Sequence, residues 1–241
     1  MNESADVKLW PEMMVGVEMM LLRASPVFWG WGTPRGNGAA VILVPGFLGT
    51  DSIMTEMYEW LKRMDYRPYF SGIGVNADCP SMLIRNNLIG TLKKARKETG
   101  EKVHFIGHSL GGILARSLAA KKPKDIKSVI TLASPFRGIV AHPSVLKAAN
   151  IVRESIFRRH GDKVLPDCFT IGCGCEFAKR LRNFPVGVKE TAVYTRGDGI
   201  VDWRYCITGN PDVDVEVPGT HIGLIFNPTV YGIIADRLHE A

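Results

Sequence analysis

From about residue 39 to the C-terminus the chain alternates short β-branched apolar runs with segments of helical spacing, and no other feature limits the fold so strongly. "AAVILVP" (39–45) is apolar almost throughout, as required of a strand covered on both faces. "SIMTEMYEWLKRM" (52–64) and "PSMLIRNNLIGTLKKARKETG" (80–100) carry apolar residues at helical spacing, the second ending in a basic turn and a glycine. "YRPYFSG", "KVHFIGH", "IKSVITLAS", "TAVYT" and "DVDVEV" supply further strands. Asn227 as N-cap and Pro228 at the first position open a last helix. Such an order predicts an α/β fold with a mostly parallel sheet of about six strands and helices on both faces.

At 241 residues, one domain with one substantial core is expected. Residues 1–38 offer no strand for the sheet and read as a helical extension, with Met13, Met14, Met19 and Met20 expected to pack as adaptable core. Residues 137–189 interrupt the alternation at a length too great for a simple connection and read as a cap inserted between two strands. Residues 137–190 hold ten Lys/Arg against five acids, so +5 of the chain's net +6 lies there. The segment lacks the regular alternation of aromatic and basic residues expected of a nucleic-acid surface, which argues against a nucleic-acid partner. A solvated basic face, or weak attraction to anionic substrates and surfaces, fits better.

No stretch approaches the ~20 apolar residues of a membrane-spanning helix, and the acidic start "MNESADVKLW" is unlike a secretory signal, so a cytoplasmic protein is expected. Five cysteines without CxxC spacing read as reduced thiols, with no metal site and no cofactor implied. Cys79 with Cys206, and Cys173 with Cys175, are the pairs to check.

"GHSLGG" (107–112) lies between a strand and a helix and satisfies G-x-S-x-G around Ser109. That pattern makes a sharp turn that exposes the serine hydroxyl at a strand's carboxyl end, above a helix N-terminus. An alcohol needs a base to act as a nucleophile, and the base needs an acid to orient it. Of six histidines, His104 sits within a strand, His108 within the turn, His142 and His160 in the insertion, and His239 near the terminus. His221 follows "DVDVEVPGT" on a loop at the serine's end of the sheet and is the candidate base. Asp198, just past "AVYT" and flanked by glycines, is the candidate acid. Asp202, beyond an apolar anchor and beside Arg204, suits a helix cap or an ion pair instead.

With "VPGFLGT", "RGDGIVDW" and "GTHIGLIFNP" added to these residues, the chain from about 39 to 239 resembles an α/β-hydrolase of the bacterial lipase and esterase type. The resemblance implies a serine hydrolase that cleaves carboxylic esters with apolar acyl groups through an acyl-serine intermediate. It also implies an oxyanion hole formed by the N–H groups of Leu110 and Phe47. An acyltransferase or thioesterase on the same scaffold is the alternative. Pro45 stands where a histidine often precedes Gly46, which leaves open what supports that loop.

Overall fold

The apolar run at 40–44 alternates its side chains between two cores. Val41 and Leu43 join one, and Ala40, Ile42 and Val44 join the other. A strand buried on both faces in this way needs helices on both sides. The computed structural model, which describes residues 3–165, 168 and 173–241, supplies them.

Six strands form the main sheet: β2 (Ala40–Val44), β3 (Arg67–Phe70), β4 (Val103–His108), β5 (Ile126–Leu132), β7 (Lys189–Tyr194) and β8 (Asp214–Glu216). Their order is β3-β2-β4-β5-β7-β8, and every neighbouring pair is parallel. One face is covered by α1 (Val15–Ala24), α2 (Thr55–Arg63) and α8 (Pro228–His239), around Trp60, Tyr231 and Leu22. The other is covered by α3 (Pro80–Leu83) running through a π-type turn into α4 (Ile89–Thr99), and by α5 (Leu110–Lys121). The capping signals act as the sequence suggests. Gly100 ends α4 in the left-handed conformation, and the Asn227 side chain accepts from Thr229 N at 2.9 Å to open α8.

Parallel pairing throughout brings the carboxyl ends of the strands to one edge, where the connections after β2, β4, β5, β7 and β8 emerge. Between β5 and β7 lie β6 (Val140–Ala141), α6 (Pro143–His160) and α7 (Glu176–Arg180). α6 is tied back to the body by Arg159 and His160, both of which contact Asp78, at 3.2 and 2.9 Å.

The N-terminal segment differs from expectation in two ways. β1 (Glu3–Ser4) pairs in parallel with β6, a two-residue contact with no sequence signature of its own. The methionines of α1 and the turn before it are mostly outside the core: Met13, Met14 and Met20 are 83%, 46% and 62% exposed, and only Met19 packs against the main core. The helix has turned its other face inward, and that face carries Glu18 together with Val15, Met19 and Leu22.

Candidate active site

At the end of β4 the chain reverses into α5 within one residue. Ser109 sits at the turn with φ 51° and ψ −122°, a conformation costly for any residue with a Cβ. The glycines make it feasible. A Cβ on Gly107 would run into the backbone of Gly112, one on Gly111 into the carbonyl of Val44, and one on Gly112 into Ser134. The Ser109 N–H donates to Leu132 O at 2.8 Å, which anchors the turn to the neighbouring strand. Leu110, the first residue of α5, has an N–H for which the helix itself offers no acceptor.

Asp198 and His221, 23 residues apart, meet on adjacent loops after β7 and β8. His221 Nδ1 and Asp198 Oδ2 are 2.7 Å apart, and both side chains are almost wholly buried. The second carboxylate oxygen, Oδ1, accepts from the N–H of Ile200 at 2.9 Å and of Val201 at 2.7 Å, which fixes the carboxylate plane. Burial works against a charge on His221. The Asp198 charge, its hydrogen bond and the nearby charge of Glu12 outweigh it, so the imidazole pKa is raised. With Nδ1 held by Asp198, Nε2 is the nitrogen left to exchange a proton. Asp202 is engaged elsewhere: it accepts from Arg204 N at 3.0 Å, caps the short 3-10 turn that follows, and forms a two-pronged ion pair with the Arg204 guanidinium.

Ser109, His221, Phe47 and Leu110 all line one cavity of about 700 Å³. Its walls are mainly apolar, with Ile113, Phe136, Val145, Leu146, Phe177 and Leu181 contributed by the body, α6 and α7. This size and lining suit an apolar chain of small-molecule dimensions. Chemically, a hydroxyl at a helix N-terminus and a carboxylate-oriented imidazole on the same cavity are the groups that acyl transfer uses.

Four residues of this region have no motif to announce them. Asn76, fully buried, braces the loop after β2: its Nδ2 donates to Pro45 O at 2.8 Å, its N–H to Gly49 O, and its carbonyl accepts from Leu48 N. It supplies the support that Pro45 left open. His108 is more than a filler of the turn. Its Nε2 donates to the carbonyl of His221 at 3.0 Å, and burial, then the His221 charge, push its pKa down to about 3, so it stays neutral. Glu12 and Glu18 reach the Asp198 and His221 loops from the N-terminal segment.

Among the described residues no cluster of three or more His, Cys, Asp or Glu could hold a metal ion, and no helix is long and apolar enough to cross a membrane. None of the five cysteines is joined in a disulfide. Cys206 lies beside Ala141 and Val201, remote from the Cys79 environment. The partner of Cys79 is Cys168, whose hydrogen bond draws the Cys79 thiol down to about 6 against the effect of burial.

The sheet order, the strained serine between β4 and α5, and an acid and a histidine following in that chain order define an α/β-hydrolase. Residues 40–170, more than half of the chain, match the palmitoyl protein thioesterase family, and the chain belongs to it. It is 30% identical over 133 residues to a triacylglycerol lipase of Burkholderia plantarii, a match covering 52% of this chain and 37% of that protein. The chain spans roughly a third of the length of the curated relatives it matches. Among solved structures, one from a study of the metagenome-derived lipolytic enzymes LipS and LipT superposes with a TM-score of 0.60 at 13% identity, covering 87% of this chain and 96% of that one. A soluble variant of monoglyceride lipase from Saccharomyces cerevisiae, in complex with a substrate analog, superposes with a TM-score of 0.57 at 17% identity, covering 86% and 90%.

Proposed function

We propose that the protein is a serine hydrolase that cleaves carboxylic esters with apolar acyl groups. The observation that carries this reading is the strained Ser109, which opens with His221 onto one apolar cavity while Asp198 holds the far side of the imidazole. The lipase relatives and the α/β-hydrolase fold support it.

In this mechanism the Ser109 hydroxyl oxygen attacks the ester carbonyl carbon and passes its proton to His221 Nε2. The resulting imidazolium is stabilised by Asp198, and the carbonyl oxygen, now an oxyanion, is held by the N–H groups of Leu110 and Phe47. Collapse of the tetrahedral intermediate breaks the bond to the leaving group, which takes the proton from His221. Water then enters, deprotonated by the same imidazole, and releases the acid from the acyl-serine. The segment 137–189 acts as a cap, since α6 and α7 supply much of the wall that an acyl chain would touch.

A thioester substrate is the second reading, favoured by the family to which the chain belongs. It uses the same acyl-enzyme and differs in the leaving group. Steady-state hydrolysis of matched oxygen esters and thioesters across acyl lengths, with and without an acceptor alcohol, separates these readings from an acyltransferase. Ser109→Ala should abolish nearly all turnover while the far-UV circular dichroism is unchanged, and a fluorophosphonate should label Ser109 alone. An active alanine variant would end the proposal.

A further inference from the structure

The N-terminal segment places two carboxylates on the backbone of the loops that carry Asp198 and His221. Glu12 Oε1 accepts from Gly199 N and from His221 N, each at 2.9 Å, and its Oε2 accepts from Ile222 N at 2.9 Å. One side chain thereby joins the residue after the acid to the base itself and to the residue after the base. Glu18, one and a half turns further on, accepts from Thr220 N at 3.1 Å and Thr220 Oγ1 at 2.9 Å. The loops are shaped to admit these groups. A Cβ on Gly199 would lie 3.0 Å from Glu12 Oε1 and would strike the Lys8 carbonyl, and one on Gly223 would strike the Glu18 carboxylate.

No requirement of the helix itself explains this. Glu12 and Glu18 face inward while Trp10, Met13, Met14, Val17, Met20 and Leu21 face solvent, the reverse of an ordinary surface helix. Carboxylates at the inner face are costly to desolvate, and each is compensated by N–H and O–H donors from the two loops.

We propose that Glu12 is a positioning residue: it clamps the Asp198 and His221 loops in register and adds a second negative charge on the imidazole's side of the site. This rests on the reading of Ser109, His221 and Asp198 given above. The groups facing His221 from the elements packed on it are Asp198, Glu12, the neutral His108, and Glu18 through Thr220. Of these, Asp198 and Glu12 carry the charges that favour the imidazolium.

Three variants test the proposal in the full-length chain: Glu12→Gln, Glu12→Ala and, as reference, Ser109→Ala. Glu12→Gln keeps the shape and one acceptor oxygen but loses the charge and leaves one loop N–H facing an amide N–H₂. It should lower kcat by about 10- to 100-fold, the scale of small misplacements at a reacting centre, with KM little changed. The acid limb of kcat/KM should move to lower pH, because the imidazole then loses its proton more readily. A purely structural role would lower the plateau and leave that limb in place. Unaltered kcat together with an unmoved limb would overturn the proposal, and if Glu12→Ala does not fold, the glutamine variant decides. NMR titration of the His221 ring reads the same charge without turnover. A downward shift in Glu12→Gln supports the proposal and an unmoved titration overturns it, even if Ser109→Ala proved active and removed the serine reading.

Discussion

Asp198 and Asp202 are the same residue type four positions apart, yet their surroundings engage them differently. Asp198 spends one oxygen on two backbone N–H groups and the other on His221, whereas Asp202 accepts from the N–H and guanidinium of Arg204. Asp198→Asn should therefore reduce turnover by about 10⁴-fold, the scale seen when a triad acid becomes an amide and the histidine is held in the wrong tautomer. Asp202→Asn should leave kcat within a few-fold and, because asparagine also caps, lower thermal stability only by the lost ion pair with the exposed Arg204, about 0.2–1 kcal/mol. A steady-state assay beside a thermal melt of each variant checks both halves. This contrast was legible in the sequence because the glycines around Asp198 and the arginine after Asp202 are local signals. Glu12, Asn76 and the bond from His108 to His221 were not. Glu12 meets its partners across 187 to 210 positions, and nothing in a single sequence marks a glutamate whose acceptors face loops that distant.

At the scale of elements, the six strands of the main sheet and the helices after them follow from apolar runs and caps that need no tertiary information. The two-residue β1 and β6 escaped because so short a pairing leaves no periodicity to read. α1 was legible as a helix and not as to its inward face. Methionines suggest core, but the interior side is chosen by the buried donors of the His221 loop, which need Glu12 and Glu18. A stability comparison separates the two faces. Leu22→Ala removes a fully buried side chain and should cost about 2–5 kcal/mol. Met13→Ser and Met20→Ser, on the exposed face, should change stability by no more than about 0.5 kcal/mol. Urea melts of the three variants give the ranking. A loss of several kcal/mol at Met13 would mean that the helix is packed the other way round.

Across the whole molecule the charge is as uneven as the fold is regular, and the structure sharpens which cations are available. Arg159 is committed, with its guanidinium on Asp78 and the Ala77 carbonyl, so reversing it would untie α6 from the body. Lys147, Arg158 and Arg182 are exposed, and Arg182 also lines the cavity. Charges of this kind raise the local concentration of an anionic substrate without contacting it, and salt screens them over about 8 Å at physiological ionic strength. The apparent KM for an anionic acyl donor should therefore rise with added salt, while that for a neutral short-chain ester stays nearly constant. Reversing Lys147 and Arg158 to Glu should shrink the difference and, because neither lines the cavity, leave kcat for the neutral ester close to that of the unaltered protein. Measuring KM for both substrates across a salt series in both proteins decides the point. An equal response of the two substrates would reduce the basic segment to a solvated face.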